Sequence, residues 1–252
     1  MDFVYTTRFP VTTLHVDCFG RCKPSGLLRF TQDAAEEHCH HLGTDWDSMA
    51  KKRYFWAVIR QRIEISRYPR AGETVTVKTW PMPTSRVAYP RAAEGFDEEG
   101  NSLFKVISLW VIVDMDTRAM VLPGKSGVDV VGTVLGTELK APGGLPAVTP
   151  QCNGLRTVSF SDLDVNGHMN NARYLDWICD LLPSGFHRDH PLKAATVCYM
   201  TEALEGQQLQ LQLSWAGEDT IRVDGSLPQT DVDAGHTRIF SAQVEFLECS
   251  VN

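Results

Sequence analysis

The chain has 252 residues, 43% of them hydrophobic and 22% charged, with a formal net charge of −7. That length allows one large domain or two small ones with real cores, and the composition excludes a disordered chain. The acidic balance argues against nucleic acid or an anionic membrane as a general partner, and no apolar run reaches the length of a membrane span.

The start, Met1-Asp2-Phe3-Val4-Tyr5, has no basic region followed by a long apolar stretch, so no secretory signal is expected. Seven cysteines (Cys18, Cys22, Cys39, Cys152, Cys179, Cys198 and Cys249) form no CxxC and are odd in number. Reduced thiols and a cytoplasmic, bacterial-type location are expected; a plastid presequence already removed is compatible with the same start. Cys18 and Cys22 with His38, Cys39, His40 and His41 invite a metal reading. Adjacent residues on a helix point different ways and do not converge on one ion, so no metal is expected. Imidazoles at a helix C-terminus suit its dipole instead.

In chain order, an extended segment from Val4 to His15 leads to a helix over Ser25 to Leu42, with Leu27, Leu28, Phe30, Ala34 and Ala35 as apolar positions. Gly43 is placed to end it. Strands are expected at Tyr54 to Ile65, Thr74 to Trp80, Arg86 to Phe96 and Leu103 to Asp114. Within the first of these, Arg60 to Ile65 alternates charged with mostly apolar residues, as a half-solvated strand does. Residues 121–153 are rich in Gly and Pro and read as a crossover linker. The second half restarts with a strand near Arg156 to Phe160. A helix over Met169 to Leu182 follows, stopped by Pro183, with Tyr174, Trp177, Ile178 and Leu181 as its buried stripe. Strands then fall at Thr196 to Ala203, Gln208 to Trp215, Thr220 to Leu227 and Ile239 to Glu248.

The same elements thus run twice. Tyr68, Gly72 and Trp80 recur as Tyr199, Gly206 and Trp215, and Leu103-Phe104 recurs as Ile239-Phe240. The reading is α+β: an N-terminal repeat over 1–120, the linker over 121–153 and a C-terminal repeat over 154–252, each a helix laid on a curved antiparallel sheet.

Asp162-Leu163-Asp164-Val165-Asn166-Gly167-His168 carries the chemistry. In an extended chain alternate side chains share a face, so Asp162, Asp164, Asn166 and His168 would project together. A helix beginning at Gly167 to Asn170 would add free backbone N–H groups able to hold an oxyanion, and would bias His168 towards its neutral form. The plain alternative is that Asp164 or Asn166 caps the helix. Both readings stand on the residues alone.

Ser161 to Trp177, with its Asp-x-Asn-x-His core and Asn170-Asn171-Ala172-Arg173-Tyr174, closely resembles the motif of acyl-ACP thioesterases of plant plastids and bacteria. Tyr54-Phe55-Trp56-Ala57-Val58, Arg67 to Glu73, and Ser108 to Asp114 with Thr117-Arg118 resemble further stretches of that family in the right order. The resemblance implies two tandem hotdog repeats, each a long helix wrapped by a curved antiparallel sheet. It implies hydrolysis of fatty acyl-ACP to free fatty acid and acyl carrier protein, with no cofactor. The family's catalytic Asp, Asn and His fall on Asp164, Asn166 and His168, and its Glu falls on Glu202 in Tyr199-Met200-Thr201-Glu202. Without the resemblance Glu202 reads as a solvated strand carboxylate. Plant members often carry Cys just after that Glu; here Ala203 stands there, so a thiol at that position is not required. The first repeat, at Arg21 to Leu27, lacks the acid and imidazole set. It is expected to bind the acyl chain, with Phe30, Ala34 and Trp56 as tunnel wall or plain core. Acyl carrier protein is acidic, which makes Lys51-Lys52-Arg53, Arg60 and Arg62 candidate docking cations against the alternative of a solvated face. A homodimer is compatible with the sequence. The competing functions are an acyl-CoA thioesterase, a hotdog dehydratase and a non-enzymatic acyl-binding regulator.

Overall fold

An amphipathic helix and a half-buried sheet each hide one face, and both halves of this chain solve that problem in the same order. The computed structural model describes residues 3–146, 149, 151–228 and 237–248, and the chain divides into two compact units, Met1–Pro142 and Gly143–Asn252.

The N-terminal unit contains β1 (Tyr5–Pro10), α1 (Pro24–Leu42), α2 (Trp46–Lys51), β2 (Tyr54–Ile65), β3 (Thr74–Pro81), β4 (Tyr89–Phe96), β5 (Ser102–Asp114), β6 (Met120–Val121) and α3 (Pro123–Ser126). Its antiparallel sheet runs β1-β3-β4-β5-β2, with β6 added to β5. The C-terminal unit contains β7 (Cys152–Thr157), a 3-10 turn (Phe160–Asp162), α4 (Arg173–Cys179), α5 (Ser184–Asp189), β8 (Leu192–Tyr199), β9 (Gln208–Trp215), β10 (Thr220–Ser226) and β11 (Arg238–Phe246). Its sheet runs β7-β9-β10-β11-β8. Counted within each unit, both sheets read first, third, fourth, fifth, second strand. Each unit is a hotdog repeat.

The parallel extends to single hydrogen bonds. The Gly72 N–H donates to Val11 O and the Val11 N–H to Glu73 O; in the second unit Gly206 donates to Val158 O and Val158 to Gln207 O. It extends to packing as well. Gly95 of β4 faces Phe104 of β5, and Gly225 of β10 faces Phe240 of β11. A Cβ on either glycine would lie 2.2 Å or 2.1 Å from the facing ring. A register shift follows each glycine at once, between Gly95 and Phe96 and between Gly225 and Ser226. Such bulges bend and twist a sheet locally, so the two sheets curl at equivalent points.

α1 starts on Pro24, whose fixed φ suits the first helical position. It ends at Gly43 in the left-handed region, where the Gly43 and Thr44 N–H groups close back on His40 and Cys39 carbonyls. Leu27, Leu28, Phe30, Thr31, Ala34 and His38 are buried. Each large apolar side chain among them contributes roughly 1.5–3 kcal/mol by leaving water. Phe30 stacks on Phe9 with ring centroids 4.9 Å apart, and Trp56 meets Tyr89 edge-on while its N–H donates to Thr44 O. Both thus serve as packing residues of the unit.

Several boundaries differ from the sequence reading for local reasons. The strand expected at Arg156 to Phe160 lies at Cys152–Thr157, because Ser159 caps a tight turn into which Phe160 is drawn. The helix expected from Met169 to Leu182 spans only Arg173–Cys179. Met169 and Asn170 are held out of it because their N–H groups donate to Ala203 O and Asp162 O. The strand expected at Thr196 to Ala203 is shifted to Leu192–Tyr199, which leaves Glu202 in a loop. The second unit is therefore a hotdog with a short helix rather than a long one.

The residues that invited a metal reading have separate roles. Cys22 is fully buried, Cys18 is exposed, Cys39 contacts Arg91, and His40 pairs with Asp45 at 2.8 Å. Burial, helped by the charge of Asp17, pushes the Cys22 thiol up to about 12. Alkylation of the native protein at about pH 8 should therefore modify Cys18 and spare Cys22 until the chain is unfolded. Mass mapping checks this; equal labelling of the two would contradict the burial.

Candidate active site

Asp164 and His168 face each other across a tight loop. The Asp164 N–H donates to His168 O at 2.7 Å, and the Gly167 N–H donates to Asp164 O at 3.0 Å. Leu163 and Met169 pair next along. Gly167 sits at φ 74, the left-handed position that follows the turn in a three-residue hairpin loop. Val165, Asn166 and Gly167 thus form the loop of a small hairpin. The expected extended row from Asp162 to His168 is overturned, since the chain reverses between Asp164 and His168.

The carboxylate of Asp164 holds the loop from inside. Its Oδ1 accepts the N–H of Asn166 at 2.8 Å and of His168 at 3.3 Å. This is the capping role weighed against catalysis, and it occupies one oxygen only. Asp162 is further removed from any chemistry: it is buried, accepts the Ser159 N–H, and forms an ion pair with Arg173 at 2.9 Å. Arg173 in turn reaches Asp176 at 2.7 Å, which ties the loop to the first turn of α4.

Backbone amides do not form the anion site expected at Gly167 to Asn170. All four are spent: Gly167 on Asp164 O, His168 on Asp164 Oδ1, Met169 on Ala203 O, and Asn170 on Asp162 O. With α4 starting at Arg173, His168 lies outside the helix and its first turn.

Glu202 reaches the loop from the segment that follows β8. His168 forms a backbone bridge with Leu204, and the Met169 N–H donates to Ala203 O, so the two segments lie side by side. The result is an imidazole–carboxylate contact, with His168 Nε2 3.3 Å from Glu202 Oε2. His168 is the more enclosed, at 15% side-chain exposure against 38% for Glu202. Ala203, next to Glu202, is fully buried.

Tyr174, expected on the apolar stripe of the helix, is buried. Its ring meets Tyr199 and Phe240 edge-on at 5.2 and 4.9 Å. Burial raises its hydroxyl above the ordinary tyrosine value, and the charges of Asp164 and Glu202 push it the same way. Tyr199 donates to Asn171 O at 3.0 Å and is raised by burial. The charges of Asp164 and Glu202 act on Tyr174 from outside its own helix, and no local pattern shows them. Helical periodicity gives the face of a side chain but not what waits at the end of it.

Residues 2–122 match the acyl-ACP thioesterase N-terminal domain, and residues 151–240 match the acyl-ACP thioesterase C-terminal domain. The chain belongs to the acyl-ACP thioesterase family. Among family members it is 28% identical over 226 residues to a chloroplastic palmitoyl-acyl carrier protein thioesterase of Gossypium hirsutum, covering 82% of this chain and 54% of the relative. It is 28% identical over 200 residues to a chloroplastic dodecanoyl-[acyl-carrier-protein] hydrolase of Cinnamomum camphora, covering 73% and 52%. The chain spans about half the length of the curated relatives it matches. In fold it superposes on an acyl-ACP thioesterase from Bacteroides thetaiotaomicron with a TM-score of 0.85 at 24% identity, and on the 12:0-ACP thioesterase from Umbellularia californica with 0.81 at 22%. Each match covers 98% of both chains.

Of the cations expected to face an acidic carrier, Arg53 pairs with Asp116, Arg62 pairs with Glu64 at 2.8 Å, and Arg60 donates to Pro142 O. Lys52 donates to Gly127 O at 3.3 Å, and Lys51 is exposed. No described helix is long and apolar enough to cross a membrane.

Proposed function

We propose that the protein hydrolyses the thioester of a fatty acyl group carried on acyl carrier protein, with Asp164, Asn166, His168 and Glu202 as its catalytic set. The observation that carries this reading is the His168–Glu202 contact at 3.3 Å beside the loop built on Asp164. The pair takes a proton from water as the oxygen adds to the carbonyl carbon. The C–S bond then breaks, the fatty acid is released, and the same proton passes to the departing sulfur. Because the nearby backbone amides are spent, the carbonyl oxygen is assigned to the side-chain amide of Asn166. Asp164 keeps the loop that carries Asn166 and His168 in register.

The C-terminal unit is the hydrolytic one and the N-terminal unit receives the acyl chain. Exposed Phe160, Val165, Met200 and Leu204 fringe the segments that hold His168 and Glu202, which favours an apolar ligand there. For the carrier contact, Lys51 and Lys52 remain the best of the expected cations.

The test is release of free thiol from acyl-ACP and from acyl-CoA bearing the same chain, across a salt series. Faster hydrolysis on the protein carrier, weakened by salt, is expected. Equal, salt-independent rates would transfer the assignment to acyl-CoA. An enoyl product without thiol release would make the protein a dehydratase.

A further inference from the structure

The active-site hairpin has a counterpart in the N-terminal unit. The Asp17 N–H donates to Arg21 O at 2.8 Å, as Asp164 does to His168 O, and Gly20 donates to Asp17 O at 3.0 Å, as Gly167 does to Asp164 O. Asp17 Oδ1 accepts the N–H groups of Phe19 and Arg21 at 2.8 and 3.0 Å. These are the two bonds that Asp164 Oδ1 makes with Asn166 and His168. Both glycines sit at φ 74. Val16 bridges Cys22 as Leu163 bridges Met169, and Arg21 bridges Arg70 as His168 bridges Leu204. The Cys22 N–H donates to Pro69 O, and the Met169 N–H to Ala203 O. The fold builds this hairpin twice, so equivalent positions can be compared one by one. By this pairing Tyr68 is the counterpart of Glu202, not of Tyr199 as the sequence pattern suggests.

The two hairpins differ in where they are braced. In the N-terminal unit Arg21 stands in the place of His168, and Phe19 in that of Asn166. Arg21 Nε lies 3.1 Å from Asp17 Oδ2, and its guanidinium carbon lies 4.8 and 5.7 Å from the ring centroids of Phe19 and Tyr68. That loop is held at its tip by an ion pair and cation–π contacts among its own side chains. With Asn166, His168 and Glu202 at the three places, the guanidinium and its rings have no equivalent in the C-terminal hairpin. The brace lies at its base instead. Arg173 Nε and Nη2 lie 3.0 and 2.9 Å from Asp162 Oδ1, and Nη1 donates to Asp176 Oδ2 at 2.7 Å. Asp162 precedes the hairpin and Arg173 opens α4, so the network ties the chain entering the loop to the helix leaving it. The side chains of Asp162, Arg173 and Asp176 are 6, 27 and 22% exposed, where ion pairs are screened less than at the open surface.

The N-terminal hairpin stands without this base. In the place of Asp162 it has His15, whose carbonyl accepts the Lys23 N–H as Asp162 O accepts that of Asn170. Arg173 follows the bridged Met169 by four residues, and four residues after the bridged Cys22 stands Gly26, which has no side chain. We infer that Arg173 is a positioning residue for hydrolysis: through Asp162 and Asp176 it fixes the hairpin that presents Asn166 and His168, and it is not needed to form that hairpin. The inference rests on the acyl-thioester reading above and adds to it a residue that acts only through others. A planar guanidinium fork reaches both carboxylates at set angles, which a single ammonium does not.

The experiment measures kcat and KM of Arg173→Gln and Arg173→Lys on one acyl-ACP thioester, alongside urea unfolding, with Gly225→Ala as a control of reduced stability. Arg173→Gln should stay folded and lose roughly ten- to hundredfold in kcat, the cost of a small misplacement at a reacting centre, with KM little changed. Arg173→Lys should regain part of the rate. Gly225→Ala should keep the wild-type kcat although it is less stable. Wild-type kcat in folded Arg173→Gln, or an equal fall in Gly225→Ala, would leave Arg173 a structural role only and overturn the inference. If Arg173→Gln does not fold, Asp176→Asn, which removes only the outer partner, carries the same comparison. A second arm needs no turnover and follows the His168 imidazole signals by nuclear magnetic resonance. Glu202→Gln should move them clearly in the wild-type background and much less beside Arg173→Gln, because a loosened hairpin no longer holds the two groups together. Equal movement in both backgrounds also overturns the inference. Absence of thiol release from the wild type would count against the hydrolase reading, and the resonance arm then decides the positioning by itself.

Discussion

His168→Ala should lower kcat for acyl-ACP hydrolysis by roughly two to four orders of magnitude, the range a positioned general acid–base group contributes. The fold should survive the change, because the loop is held by backbone and not by the imidazole. The Asp164 N–H closes on His168 O, and the His168 N–H closes on Asp164 Oδ1; alanine preserves both. Glu202→Gln should also be slow while folded, since it keeps a polar group 3.3 Å from the imidazole but removes its charge. Asp164 needs more care. Alanine there removes the acceptor of two amide N–H groups, a loss of about 1 kcal/mol in comparable capping positions, so rate and stability would fall together. Asp164→Asn keeps an Oδ1 acceptor and isolates the effect of charge. Rates measured alongside circular dichroism separate the two. Full activity in folded His168→Ala and Glu202→Gln would remove both residues from the mechanism.

The largest stability effect should come from residues far from the chemistry. In Gly225→Ala the added methyl would sit 2.1 Å from Cε1 of Phe240, and Phe240 is fully buried. Gly95→Ala would do the same to Phe104, at 2.2 Å, with that ring fully buried too. Both rings are fully buried, so overpacking should cost about 1–3 kcal/mol at each site. For a chain of 252 residues each kcal/mol lowers the thermal midpoint by about 2–4 °C. Phe240→Leu in the Gly225→Ala background should recover part of the loss, because the two side chains contest one space. Urea unfolding of the single and double variants is the measurement. An unchanged midpoint in Gly225→Ala would show that the strands separate freely there.

Much of the architecture was legible because strands announce themselves by alternation. Tyr54–Ile65 and Gln208–Trp215 fall where the pattern puts them, and the repeat of Leu103-Phe104 as Ile239-Phe240 marks equivalent strands. The glycines facing those rings carried no such signal, since a small residue inside a strand pattern has many meanings. At the site, the residue types were readable but their arrangement was not. Asp164, Asn166 and His168 are spaced by two, which imitates a strand, whereas Asn166-Gly167 is a turn signal that the alternation outweighed. Four amides were then assigned to a helix mouth, although their acceptors lie on Ala203, Asp162 and Asp164. Two of those acceptors belong to residues near in sequence, and Ala203 does not. Long-range backbone pairing of that kind leaves no local trace. Gln61, which alternates with Arg60 and Arg62, is 3% exposed on a face shared with Ile63, as the half-solvated strand pattern expects.

The glycine that faces a phenylalanine occurs once in each unit, and each time the sheet changes register one residue later. The helices have drifted apart: that of the first unit runs 19 residues and that of the second 7. What survives in both copies is a crease, a point where an aromatic ring occupies the space a side chain would have taken. If the chain arose by doubling one ancestral unit, the helix and its loops were free to be rewritten for binding or chemistry. The crease was not, because losing it would flatten the sheet that every other element leans on.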